Sequence, residues 1–118
     1  MWGEFASAKV YLAPGPTDLR RSINGLSVLV SEVLAADPFS ESWFVFCNRR
    51  RDKIKILHWQ GAGFWLHYRR LERGRFNWPC PEHARSVEIT PRELRWLLDG
   101  LTLERPRAHR PSRYEMVG

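Results

Sequence analysis

The sequence predicts an α+β fold: a small antiparallel β-meander with two helices packed on one face. Three observations lead there. One apolar stripe recurs at helical spacing early in the chain, and aromatic and β-branched runs separated by turn residues fill the middle. A second, short helix is marked at both ends between Thr90 and Gly100. With 118 residues the chain can build one modest core but not two. A hydrophobic fraction of 43% and an aromatic fraction of 13% exclude a disordered polymer. The expected organisation is a single domain over residues 1–104 followed by a basic, proline-broken, flexible tail over 105–118.

The first helix is expected from about Asp18 to Ala35, after the turn "APGPT", with Leu19, Ile23, Leu26, Val30 and Val33 on its apolar stripe. Pro38 disfavours helix in the residue before it and so closes the segment. Gly25 weakens the middle, which suggests a close neighbour. The run "SWFVFCN" (42–48) reads as a strand. "DKIKILHWQ" and "GFWLHYRRL" then read as a hairpin through Gly61, Ala62 and Gly63. A three-residue loop places Ile54, Ile56, Phe64, Leu66 and Tyr68 on one face, and Lys53, Lys55, Trp59, Trp65, His67 and Arg69 on the other. A two-residue loop mixes the two sets, so the three-residue register is expected.

"GRFNWP" (74–79) is a further strand candidate and "SVEI" (86–89) a short edge strand. In "TPRELRWLLDG", Thr90 and Glu93 form a capping box, Pro91 sits in the first turn and Gly100 ends the helix.

The formal net charge is +6, with a pI near 10.0, and the cations are almost all arginine. That balance points to a polyanionic partner, DNA or RNA, although arginine richness can also reflect a GC-rich genome. The candidate nucleic-acid surface combines cations for phosphates with rings for bases: Lys53, Lys55, Trp59, Trp65 and Arg69 on the hairpin. Arg49, Arg50 and Arg51 in the preceding loop and Arg70, Arg73 and Arg75 in the following turn flank it. A solvated face, or tryptophans covered by a helix or a partner protein, is the plain alternative.

Other chemistries are weaker. Cys80-Pro-Glu-His83 has zinc-hook spacing, with Cys47, His58 or His67 as further donors, but no second tight pair exists, so no metal is expected. "GAG" lies between extended segments rather than before a helix, which argues against a nucleotide loop. Asp18, Asp37, Asp52 and Glu72 sit near turns or in charged runs, with no pattern for metal-assisted or triad catalysis. A non-enzyme without cofactor is the expectation. "MWGEFASAKVYLAPGP" has no basic stretch followed by an apolar run, and no segment reaches membrane-span length, so a cytoplasmic protein with reduced thiols and no membrane partner is expected.

Together, "GPTDLRRSINGL", "DPFSESWFVFCNRRRDKIKILHWQGAGF" and "YRRLERGRFNWP" resemble the TnpB accessory proteins of the insertion-sequence family numbered sixty-six, collinearly over residues 10–100. Thr17, Asp18 and Arg20 fit that family's first element. Arg50, Asp52, Lys55, Trp59, Gly61 and Gly63 fit its middle, and Arg70, Leu71, Glu72, Gly74, Arg75, Phe76, Trp78 and Pro79 its last. Gln60 stands where the family often has aspartate, and Ile23-Asn24 replaces a more usual aromatic-acidic pair. The resemblance implies a non-catalytic helper in transposition, acting beside a separate transposase that carries out strand transfer. Two jobs fit that role: binding DNA through the hairpin surface, or docking onto the transposase through Trp59, Trp65 and Trp78 without touching DNA.

Overall fold

Each face of β2 (Trp43–Cys47) is apolar, and all five of its residues are buried. A strand of this kind belongs in the middle of a sheet with both sides covered. The computed structural model of the chain describes residues 8–100 and, as backbone only, 107–109. In it β2 is central to a six-stranded sheet of order β4-β3-β2-β1-β5-β6. The remaining strands are β1 (Val10–Leu12), β3 (Lys53–Gln60), β4 (Gly63–Arg70), β5 (Ser86–Ile89) and β6 (Arg107–His109). The helices are α1 (Ile23–Glu32) and α2 (Pro91–Leu98).

The α+β class and the antiparallel β2-β3-β4 meander are as expected, but the sheet is mixed: β1 runs parallel to β2 and antiparallel to β5. The expectation that both helices share one face is corrected. Leu26 and Val30 of α1 pack with Phe44, Phe46 and Leu57. Leu94 and Leu97 of α2 pack with Val10, Leu12, Trp43, Val45, Ile54, Ile56, Val87 and Ile89. Successive residues of a strand point to opposite faces, so these clusters lie on the two sides of the sheet. The physical reason is the continuous apolar run "WFVFC", which leaves two faces to bury.

Helix α1 begins at Ile23, later than the stripe suggests. The Asp18 carboxylate accepts from the Arg20 backbone and guanidinium, and the Arg21 amide closes a turn on the Asp18 carbonyl at 3.2 Å. Those local bonds compete with helix, and Ser22 becomes the cap. The Arg21 side chain lies over Gly25, where a Cβ would meet it at 3.1 Å. The helix closes before Ala35, which has φ 54°. The capping box of α2 forms as expected, with Thr90 and Glu93 bonding each other's backbone amides at 3.0 and 2.8 Å.

"GRFNWP" is not a strand. Phe76 and Trp78 are buried on the α2 side without pairing in a ladder, and their alternation mimics one. The Trp78 indole donates to the Ala13 carbonyl at 2.9 Å, and the Phe76 amide to the Arg51 carbonyl at 2.7 Å. "SVEI" is a strand but not an edge, since β6 pairs outside it. β6 draws three residues from the expected tail; the rest of that stretch lies outside the described residues.

The two clusters of buried side chains lie on opposite sides of one sheet, Leu26 in one and Ile89 in the other, so defects at these two positions should add. Leu26→Ala on the α1 side should cost about 2–5 kcal/mol and Ile89→Val on the α2 side about 0.5–1.5 kcal/mol. The double variant should lose their sum in urea unfolding; strong coupling would contradict the two-sided arrangement.

Candidate nucleic-acid interface

The hairpin decides where the candidate residues go. Its turn has two residues, not three: Gln60 pairs with Gly63, and φ is positive at Gly61 (64°) but not at Ala62. Glycine with positive φ in the first central position is the requirement of a II′ turn, whose twist suits a hairpin. Lys55 therefore faces Tyr68, Leu57 faces Leu66 and Trp59 faces Phe64 on the α1 side. Ile54 faces Arg69, Ile56 faces His67 and His58 faces Trp65 on the other. The expected continuous face of Lys53, Lys55, Trp59, Trp65 and Arg69 does not exist. Lys53, Lys55 and Trp59 lie on one side of the sheet, and Trp65, His67 and Arg69 on the opposite side.

On the α1 side the cations gather. An open concavity of about 720 Å³ lies beyond the carboxyl ends of the parallel strands β1 and β2. Arg20, Arg49, Arg50, Lys53 and Lys55 line it with a single carboxylate, Asp18, and with Tyr68 as the aromatic wall.

Three local devices build this basin. The first is the β2–β3 turn. Asn48 Oδ1 accepts from the amides of Asp52 (3.1 Å) and Lys53 (3.0 Å), its Nδ2 donates to Asp52 Oδ1 (2.7 Å), and its carbonyl accepts from the Arg51 amide (3.1 Å). Arg51 takes the left-handed conformation, φ 61°, with its carbonyl held by Phe76, so Arg49 and Arg50 project from a braced turn. The second is the Asp18–Arg20 pair, closed at 2.7 Å, while the Thr17 amide donates to the Cys47 carbonyl at 2.7 Å. The third is Lys55, whose Nζ donates to the Arg21 carbonyl at 2.8 Å and sits 6.0 Å from the Tyr68 ring centroid. It ties the loop before α1 to the sheet.

The other candidates are dispersed. Trp59 packs against Phe64 (4.9 Å between centroids) and Phe39 (5.0 Å), with Phe39 delivered by a turn in which Asp37 accepts from the Phe39 amide and the Ser40 hydroxyl. Trp65 and His67 belong to a row of stacked rings with Trp43 and His58 on the α2 side. Burial, and secondarily His58, pushes His67 below its usual pKa. Arg70 pairs with Glu72 at 3.0 Å, and Arg73 and Arg75 are exposed in the segment after β4. Thr17, Asp18 and Arg20, absent from the sequence-based site, join it in space; their place in the family-like motif was the available signal. The acids weighed for catalysis all serve structure: Asp18 with Arg20, Asp37 in its turn, Asp52 with Asn48, Glu72 with Arg70. Among the described residues no group of three His, Cys, Asp or Glu side chains could hold a metal, and no helix is long and apolar enough to cross a membrane.

A family model described as IS66 Orf2 like protein matches residues 8–108. The chain belongs to the IS66 Orf2-like family. Membership gives it an accessory role in an insertion sequence. Two relatives from Sinorhizobium fredii (strain NBRC 101917 / NGR234) are similar over most of their length. The uncharacterized protein y4hO is 36% identical over 100 residues, covering 85% of this chain and 86% of the relative. The uncharacterized protein y4jC is 36% identical over 101 residues, covering 86% of each. No solved structure matches. Several residues of the family-like pattern now have physical roles: Asp18, Arg20, Arg50 and Lys55 line the basin, Asp52 braces the β2–β3 turn through Asn48, Phe76 holds that turn from behind, and Trp78 holds the Ala13 carbonyl after β1.

Two measurements check this description. The hydrogen bonds from Arg20 hold the Asp18 carboxyl down at about 2. Its contribution to the loop is complete above the ordinary carboxylate value and is lost as pH falls through about 2. Carboxyl NMR titration should show that low midpoint, and Arg20→Ala should return it toward 3.8. Burial pushes the Cys47 thiol up to about 12, whereas Cys80 is exposed. A thiol reagent at neutral pH should therefore label Cys80 in the native protein, and Cys47 only after unfolding.

Proposed function

We propose that this protein is a non-catalytic accessory factor of insertion-sequence transposition that binds DNA phosphates in the basin between the β2–β3 turn and the loop before α1. The observation that carries this reading is the lining: five cationic side chains against one carboxylate that is already paired. The braced turn presents Arg49 and Arg50 on a backbone already held by hydrogen bonds, which leaves only their side chains to be ordered on binding, and Tyr68 offers a ring beside the phosphate path. The reading moves the DNA contact from both hairpin strands to one side of the sheet. Arg69 and Trp65 are thereby left outside it, and Arg73 and Arg75 are at most peripheral cations.

If Arg49, Arg50, Lys53 and Lys55 each neutralise a phosphate of duplex DNA, log affinity falls against log salt with a slope of about −3.6. Arg49→Ala/Arg50→Ala/Lys53→Ala should reduce that slope to about −0.9 and weaken binding at low salt, with an unchanged circular dichroism spectrum. Arg69→Ala should leave both quantities near those of the parent. Equal damage from Arg69→Ala, or an unaltered slope in the triple variant, would refute the basin. A complex with the element-encoded transposase that survives nuclease treatment, in a chain showing no DNA affinity, would instead establish the adaptor role.

A further inference from the structure

β4 is the end strand of the sheet, and no described strand pairs with its outer side. Its eight residues contain no proline and no lysine, and their register with β3 runs unbroken from Gln60↔Gly63 to Lys53↔Arg70. Proteins ordinarily blunt such edges with charge, proline or bulges, because an open row of amides and carbonyls recruits another strand. Only Arg69 and Arg70, at one end, do so here. The middle of the edge carries Phe64, Trp65, Leu66, His67 and Tyr68, with Trp65 49% and Tyr68 55% exposed.

The direction of the free amides follows from the ladder. The Leu71 amide donates to the Asp52 carbonyl at 2.8 Å, in register with the β3–β4 pairing, and the Asn48 amide donates to Lys53 on the other side of β3. Antiparallel pairs alternate between bonded and non-bonded positions. Gly63, Trp65, His67 and Arg69 therefore turn their backbone groups toward β3, and Phe64, Leu66, Tyr68 and Arg70 turn theirs outward.

We propose that β4 pairs antiparallel with β4 of a second copy of this chain, about a two-fold axis at Leu66, joining the two sheets into one. That register sets Leu66 opposite Leu66, Phe64 opposite Tyr68 and Trp65 opposite His67, and it satisfies the outward amides of Phe64, Leu66 and Tyr68 in both copies. Arg69 and Arg70 fall opposite Gly63 and Ala62. The two Arg69 side chains are then six residues apart along the strands, roughly 20 Å, and salt screens them. Centring the axis on His67 would put Trp65 and Phe64 opposite Arg69 and Arg70. Centring it on Trp65 would leave Tyr68 facing the turn. Self-complementarity of this order fits a second copy better than an unrelated strand. Because a two-fold perpendicular to the sheet preserves its faces, the two cationic basins lie on the same side of the joined sheet.

Sedimentation velocity without nucleic acid tests the pairing independently of DNA binding. The parent protein should sediment at twice the chain mass, and Leu66→Lys and Leu66→Glu should each be monomeric with native circular dichroism. Their equimolar mixture should regain the dimer, since the register places residue 66 opposite itself. In the parent chain the amides of Leu66 and Tyr68 should also exchange more slowly as concentration rises, a readout that holds even where a variant fails to fold. A parent monomer at every concentration, a dimer indifferent to both variants, no recovery on mixing, or concentration-independent exchange at those amides would overturn the proposal.

Discussion

The arrangement rests on burying both faces of β2. A five-residue strand with an apolar side chain at every position cannot leave either side in water, so one helix must come to each face. The first is supplied by the connection between β1 and β2, which makes those strands parallel neighbours; the second follows β5. Once β1 and β2 run in parallel, their carboxyl ends open on the same rim of the sheet. The loop before α1 and the β2–β3 turn must then meet there. The cationic basin is a product of that topology as much as of composition.

Its residues do two kinds of work. Asn48, Asp52 and Asp18 are consumed by turns, and Lys55 is tied to a carbonyl of the loop before α1. Arg49 and Arg50 project from the frame so built and are exposed. Aspartates scattered through a basic sequence look like catalytic candidates or charge balance. Here Asp18 pairs with Arg20, and Asp52 with Asn48 closes the turn from which Arg49 and Arg50 project. Behind the β2–β3 turn, the amide of Phe76 fixes the carbonyl of Arg51, linking the α2-side core directly to the loop that carries the cations.

Much of this was legible from the residues, and the failures have identifiable causes. The capping box at Thr90 was readable because its partners lie three residues apart, and β2 because five consecutive side chains agree. The hairpin register was not. "GAG" accommodates either turn length, and separating lysines from isoleucines favoured the wrong one. The actual register keeps Lys53 and Lys55 beside Leu57 on one side of β3, which works because the lysines stand beside the open basin while Leu57 reaches the α1 core. β1, only three residues beside a proline-glycine turn, gave no periodicity to detect. Phe76 and Trp78 alternate like strand residues but reach their core through single clasps to Arg51 and Ala13. The electrostatic inference survives as a proposal in altered form: the arginines and lysines were recognisable, but which of them share a side was a matter of one residue of register.

The position of β1 carries a consequence for assembly. Its neighbours in the sheet are β2, reached only after a helix, and β5, which lies near the far end of the described chain. The ribbons β2-β3 and β3-β4, by contrast, close through short turns and have little loop entropy to overcome. β1, the first of the described strands, therefore has both of its partners distant in sequence, and its side facing β5 can be covered only once residues 86–89 have been made.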